Sequence, residues 1–290
     1  MAVDHTRARL VGARSLVSIV LVLVAAACAS GPKKPPVGTL EPDKFLWERG
    51  TDELNKKHWL TSREYFRQLM DSYPQSVYRA DAKLGLADSY LGEGSAESNV
   101  LAINEYREFL SFYPTHRRAY YAQFKLGMCH FYQMHGPDRD QTETQEAIAE
   151  LTTLVTDPRY SRVSTDDEAG RMQAKILEEG RARLREARDR LSDYDYRVGY
   201  FYLRTQKFPP AAIDRFMSIL KTDPEYSRRD GVYFYLAQAL IQMKRPKEAL
   251  PYLDRLITEF ESSEYLEQAR KLVETLKADQ AKTGSVSNDS

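Results

Sequence analysis

The chain has 290 residues, 42% apolar and 29% charged, a mixture that folds and does not stay disordered. Lys plus Arg and Asp plus Glu both number 42, so no strong overall field exists to hold nucleic acid, and a general polyanion binder is disfavoured. Two cysteines exclude a disulfide framework and a four-thiolate zinc site within one chain, and 19 tyrosines point to many half-buried rings with polar tips.

The first element is an address. Arg7, Arg9 and Arg14 precede a short apolar run at 16–24, and Ala25-Ala26-Ala27-Cys28 follows. That is the basic region, apolar region and small-residue cleavage site of an export signal, too short to span a bilayer comfortably. A cysteine directly after the small residues resembles a bacterial lipobox, although Ala25 stands where Leu is commonest. The resemblance implies cleavage at 1–27 and acylation of Cys28, and Ala29 in place of Asp favours the outer membrane. Removal of the signal leaves two more acidic than basic residues. A Pro-rich stretch inside 28–42 reads as an extended tether that holds the folded part off the membrane. Cys129 has no partner cysteine in the mature chain and suits an oxidising compartment only if buried.

The remainder repeats itself. Five segments each begin with a small residue, at Ser62, Ala102, Ala147, Ala212 and Ala249. Each continues with an apolar pair at helical spacing: Phe66 and Leu69, Tyr106 and Phe109, Leu151 and Leu154, Phe216 and Ile219, Leu253 and Leu256. Four end at Pro74, Pro114, Pro158 and Pro224, where a helix must stop. Upstream of each lies a second helical pattern with a small residue in its middle, Gly50, Gly85, Gly127, Gly199 or Ala237. A pair of helices with these signatures resembles a tetratricopeptide (TPR) repeat. The predicted fold is all-α, a right-handed superhelix of about five TPR-like helix pairs behind a signal peptide and a Pro-rich tether.

The repeat spacing exceeds 34 residues for visible reasons. Polar, Gly-bearing loops are predicted at 92–98 and 134–142. The first helix of the fourth unit is predicted to run from about Asp167 to Leu203, on a stripe through Met172, Ile176, Leu184, Ala187, Leu191, Tyr194 and Val198. The expected division is 43–160 for units one to three, 161–279 for units four and five, and a disordered tail at 280–290.

No enzyme signature is present: no nucleophile elbow, phosphate loop, dinucleotide fingerprint or zinc-protease motif. No cofactor is expected. Cys129, His130 and His135 form the one metal-like cluster, but residues five apart do not share a helix face, so no metal site is assigned. In TPR-like units the inward positions of the first helix are Trp47, Thr51 and Asn55 in unit one, Ala82, Leu86, Ser89 and Tyr90 in unit two, and Phe124, Met128, Phe131 and Tyr132 in unit three, with Arg79 and Tyr121 at the mouth. Polar-tipped rings there suit an extended peptide with an aromatic end; each ring is equally readable as core between repeats. The charge run at 178–190 reads either as a solvated face laced with ion pairs or as a docking surface.

Several stretches go beyond a generic repeat: Asp71-Ser-Tyr-Pro-Gln-Ser-Val-Tyr78, Tyr113-Pro-Thr-His-Arg-Arg-Ala-Tyr-Tyr-Ala122, the loop Asp138-Arg-Asp-Gln-Thr142, Arg171-Met172 and Val198-Gly-Tyr-Phe-Tyr-Leu203. With the lipobox they resemble the BamD family, lipoproteins of the β-barrel assembly machinery. The inserted loop at 92–98 and the long charged helix depart from that pattern. The resemblance implies a periplasm-facing, lipid-anchored protein that binds unfolded outer membrane proteins through its N-terminal units. It also implies that the C-terminal units dock a BamA-like barrel protein and other assembly lipoproteins, here through Arg181, Arg185, Arg188 and Arg197. A TPR lipoprotein scaffold for polysaccharide secretion, pili or cell division is the alternative, and a peptidoglycan-acting enzyme the remote one.

Overall fold

Proline and its predecessor punctuate the whole chain. In the computed structural model, which describes residues 33–163 and 167–286, with side chains described as far as 279, every described element is a helix. In chain order these are α1 (Pro42–Asn55), α2 (Trp59–Ser72), α3 (Arg79–Glu93), α4 (Ala96–Phe112), α5 (Ala119–Gln133), α6 (Thr142–Thr156), the single turn α7 (Pro158–Ser161), α8 (Glu168–Arg204), α9 (Pro209–Thr222), α10 (Arg229–Gln242), α11 (Pro246–Glu259) and α12 (Leu266–Val286). The signal segment and Cys28 lie outside the described residues. Of the tether, 33–41 is described and is non-helical, and the Lys33 amide donates to the Tyr65 hydroxyl at 2.8 Å. No described helix is long and apolar enough to cross a membrane.

The predicted pairs are present as α1/α2, α3/α4, α5/α6, α8/α9 and α10/α11, the two members of each running in sequence, and α12 packs on α11. Helices α2, α4, α6 and α9 end two residues before Pro74, Pro114, Pro158 and Pro224, with Tyr73, Tyr113, Asp157 and Asp223 as their C-caps. The ring that follows pushes these residues out of helical geometry. Phe260 closes α11 with nearly the same angles (φ −132°, ψ 70°) as Tyr73, Tyr113 and Asp223 and no proline after it, so the repeat geometry itself also holds the turn. Proline again opens α1, α7, α9 and α11, where its missing N–H costs nothing. Gly94 ends α3 in the left-handed region at φ 76°, and Ser95 then caps α4 by accepting from the Ser98 amide.

The turns between pairs share a tie. Ser76 donates to Asp43 at 2.7 Å and Ser263 to Asp230 at 2.6 Å, each across 33 residues, and the Tyr226 hydroxyl reaches Asp193 at the same separation. A polar anchor therefore holds each of these turns to the start or the shaft of the helix one repeat earlier.

All ten predicted pair residues, from Phe66 and Leu69 to Leu253 and Leu256, are at most 1% exposed, and Ser62, Ala102, Ala147, Ala212 and Ala249 are fully buried. The small residues do what their size allows. A Cβ on Gly50 or Gly85 would lie 2.6 or 2.5 Å from the same Phe66 ring, one on Gly127 2.8 Å from Leu151, and one on Gly199 2.9 Å from Phe216. Cys129 is fully buried.

Helix α8 matches its predicted bounds almost to the residue, capped by Asp167, which accepts from the Gly170 amide. At ~1.5 Å per residue its 37 residues extend ~55 Å. It packs against both α6 and α9. The described residues fall into two compact units that meet in sequence between Ala122 and Gln123, inside α5. The last helix also continues to Val286, into the stretch read as a tail.

Candidate binding sites

The residues predicted to line a peptide groove fall into three environments. In the first unit, Trp47 is half-buried and stacks on Tyr78 with centroids 5.0 Å apart, while Thr51 donates its hydroxyl back to the Trp47 carbonyl at 2.9 Å. Asn55 and Arg79 are exposed. Tyr121 is half-buried on α5; its hydroxyl donates to Asp88 at 3.0 Å and the Arg118 guanidinium covers its ring at 4.7 Å. Burial, reinforced by the Asp88 carboxylate, pushes the Tyr121 hydroxyl well above the ordinary tyrosine value.

Tyr90 corrects the groove assignment. It is 6% exposed, with Arg63 over its ring at 4.7 Å and Arg67 donating to its hydroxyl. Arg63 also pairs with Glu93 at 2.7 Å. Tyr90 is thus the centre of an internal cation–π cluster. Phe124, in the second unit, is likewise core, 5% exposed and close to where Gly180 and Leu154 meet. Phe131 is half-buried under Arg183 at 5.5 Å, and Tyr132, 66% exposed, sets its ring edge-on to Phe131 at 6.2 Å. Trp47, Thr51, Asn55, Arg79 and Tyr121 in one unit, and Phe131 and Tyr132 in the other, remain accessible.

The arginines of α8 also part ways. Arg181 and Arg197 are exposed. Arg185 is internal: it donates to Asp223 with both terminal nitrogens, one at 2.8 Å, and to Asp189 at 3.0 Å. Burial pushes the Asp223 carboxyl up, but hydrogen bonds from Arg185 and from Ser192 at 2.8 Å outweigh it and hold the group below its ordinary 3.8. Arg185 therefore fastens α8 to the end of α9, and its guanidinium is not a free docking group.

Arg188 faces a cleft of about 800 Å³ in the second unit, missing from the predicted site. Helix α8 gives it Arg188, Leu191, Ser192 and Asp195, one face at steps of three and four; α9 gives Arg215, Ser218 and Thr222. The third wall is the loop Arg139-Asp-Gln-Thr142 with Gln145 and Ile148 of α6. Gln141, 7% exposed, locks that loop: its amide donates to the carbonyls of Gly136 and Arg139, both at 2.9 Å, and accepts from Thr144 at 3.0 Å. The sequence signal was the loop motif itself. A smaller cavity of about 370 Å³ is lined by Tyr196, Arg197, Tyr200, Arg228, Tyr235 and Tyr265, with Arg228 over the Tyr196 ring at 4.5 Å.

For a metal, the structure regroups the candidates. His135 is exposed, whereas His130 is 5% exposed and meets Glu143 at 2.8 Å. Ligand atoms of His130, Glu146 and Glu150 lie within 4.8 Å of one another, but His130 also meets Glu143 and Glu150 accepts from Gln123 at 2.7 Å.

Comparison with known proteins follows the same outline. The family model described as YfiO, outer membrane lipoprotein, matches residues 40–249, from just before α1 into α11. The outer membrane protein assembly factor BamD of Caulobacter vibrioides is 29% identical over 247 residues, 83% of this chain and 75% of that protein. The BamD of Vibrio cholerae is 26% identical over 208 residues, 68% and 78% of the two chains. Among solved structures, MamA aligns over 76% of this chain and 93% of its own at 18% identity, with a TM-score of 0.30.

Proposed function

The chain belongs to the YfiO outer membrane lipoproteins, the BamD family, and from that membership we propose that it is an assembly factor for outer membrane β-barrel proteins. Its work is binding and coupling, with no bond made or broken beyond its own lipidation. Cys28 carries the acyl chains that hold it on the periplasmic face of the outer membrane; two or more chains on one residue suffice for stable anchoring. Unfolded outer membrane proteins engage the accessible aromatic and polar side chains of the first three helix pairs, Trp47, Thr51, Asn55, Arg79, Tyr121, Phe131 and Tyr132. A BamA-like barrel protein and other assembly lipoproteins dock on the later pairs, with Arg181 and Arg197 as exposed cations.

The observation that carries this reading is the family match, which runs through nearly all of the helix pairs and does not stop at a single repeat. The experiment is affinity isolation of the lipidated protein combined with depletion. Co-isolation of a BamA-type barrel and unassembled barrels in the periplasm on depletion are the expected results. Recovery of only secretion, pilus or division proteins, with normal barrels, refutes it.

A further inference from the structure

The described part of the tether, 33–41, is held at both ends. At one end the Lys33 amide donates to the Tyr65 hydroxyl of α2 at 2.8 Å, and at the other Pro42 opens α1. Between them Lys34 shares a shallow groove with Gln68, Asp71 and Ser72, so the chain runs along α2 towards its C-terminal end. Helix α2 folds back beside α1, tied by the Ser62 hydroxyl to the Gly50 carbonyl at 3.0 Å, and its C-terminal end therefore lies beside the start of α1.

There the segment closes into a turn. Thr39 returns its amide, at 3.1 Å, and its hydroxyl, at 2.7 Å, to the Pro36 carbonyl. Gly38 takes the left-handed φ of 91° that such a turn requires, and Pro35 and Pro36 stiffen the approach. Two aliphatic side chains ride on this frame. Val37 and Leu40 are each at least 98% exposed, more than any other large apolar residue described. Val77, also exposed, stands at the same end, because its neighbour Ser76 donates to Asp43 of α1. Lys33 and Lys34 are exposed and form no ion pair among the described residues, whereas Glu41 is answered by Lys44 at 3.2 Å.

Chain length points to what covers these side chains. Lys33 is five residues from Cys28, and five extended residues reach at most ~18 Å. Ser72 stands roughly 10 Å beyond Tyr65 along α2, so a leaflet that holds Cys28 can lie level with the turn. A bilayer interface accepts this chemistry: aliphatic groups enter the boundary between headgroups and acyl chains, and lysines beside them meet anionic phosphates. Two side chains hold a protein weakly by themselves. With the acyl chains already inserted, their entry becomes an intramolecular step at high effective concentration.

We propose that the turn Pro36–Leu40 enters the headgroup layer of the leaflet that holds Cys28, with Val37 and Leu40 inserted and Lys33 and Lys34 against anionic phosphates. This rests on the lipidation of Cys28 and adds an oriented contact to it. Acyl chains alone let the attached body swivel, whereas a braced turn fixes the start of α1 towards the lipid.

The test uses the full-length lipidated chain in vesicles of phosphatidylethanolamine and phosphatidylglycerol. A thiol-reactive fluorophore is attached at Val37→Cys, at Leu40→Cys or, at the far end of α1, at Asn55→Cys; Cys129 is fully buried and Cys28 acylated, so neither takes the label. Quenching by lipids with a nitroxide at the top of the acyl chain should be several-fold stronger at 37 and 40 than at 55, and quenching by aqueous iodide the reverse. A Cβ at Gly38 meets open space but not an easy φ, so Gly38→Ala should remove at least about half of the lipid quenching and leave the melting temperature unchanged. Replacing Lys33 and Lys34 by Glu should weaken it only where phosphatidylglycerol is present. Equal iodide quenching at all three positions, or lipid quenching at 37 and 40 that Gly38→Ala does not alter, overturns the proposal. The intact mass of the mature chain reads acylation separately. If it shows none, a polyhistidine tail held by nickel-chelating lipid takes the place of the acyl chains on a Cys28→Ser chain, and the same quenching decides whether the turn inserts.

Discussion

Arg185 holds Asp223 with both terminal nitrogens of its guanidinium, across 38 residues. The bond joins the middle of α8 to the turn that follows α9. Removing one partner strands the other in a largely dry site. Arg185→Ala should cost about 2–4 kcal/mol, less than the ~3–5 of a fully buried pair because the arginine keeps some contact with water. Urea unfolding measures it. Since the folded-state carboxyl of Asp223 lies below 3.8, the stability it contributes is complete above that value and fades as the pH falls through it. The variant should therefore lose less on acidification than the parent does.

A second prediction concerns the shared ring. Phe66→Ala should cost ~3–5 kcal/mol through the cavity it leaves. Gly85→Ala should also destabilise, because its new Cβ would lie 2.5 Å from that ring. In the Phe66→Leu background the glycine substitution should cost less, and a double-mutant cycle by thermal melts reads the difference.

Two tyrosines named for the same role should separate. Tyr90→Ala should lower stability by several kcal/mol, because the ring lies beneath Arg63 and bonds Arg67. Tyr132→Ala should leave stability within about 0.5 kcal/mol and weaken binding of a peptide that ends in an aromatic residue. Melting curves and fluorescence anisotropy with such a peptide test both.

At alkaline pH the buried tyrosines set the limit. Burial, only partly offset by a hydrogen bond with Tyr265, pushes Tyr196 up to about 12, and burial with the Asp193 carboxylate raises Tyr226 from its ordinary 10.0. Above pH 10 the unfolded chain releases protons that the folded chain retains, so stability falls with rising pH, by on the order of 1 kcal/mol per pH unit for each group. Tyr196→Phe should flatten that fall, as seen in denaturant unfolding repeated through the alkaline range.

Much of the frame was legible because it rests on local chemistry. The apolar pairs, the small residues opposite them and the prolines that end the second helices all found their predicted places, since helical period and proline geometry act within a few residues. The extent of the long α8 was legible too, but not its face: of the predicted stripe Leu184 and Ala187 are buried while Met172 is 53% exposed, and the buried face runs on through Leu177, Tyr196 and Leu203. The site was less legible. The spacing of charges along α8 shows partners on the same helix, such as Arg185 with Asp189, but not Asp223 on the next. A ring at an inward position looks the same in sequence whether it meets solvent, as Tyr132 does, or arginines from a neighbouring helix, as Tyr90 does.

One aromatic side chain, Phe66, presses on a glycine of its own pair and on a glycine of the next. Neighbouring repeats thus have a common wall, and neither can be excised as a spare module without leaving its neighbour open to water. Length changes fit only between helices: the loop expected at 92–98 reduces to the two-residue turn Gly94–Ser95, and the longer link runs over 134–141.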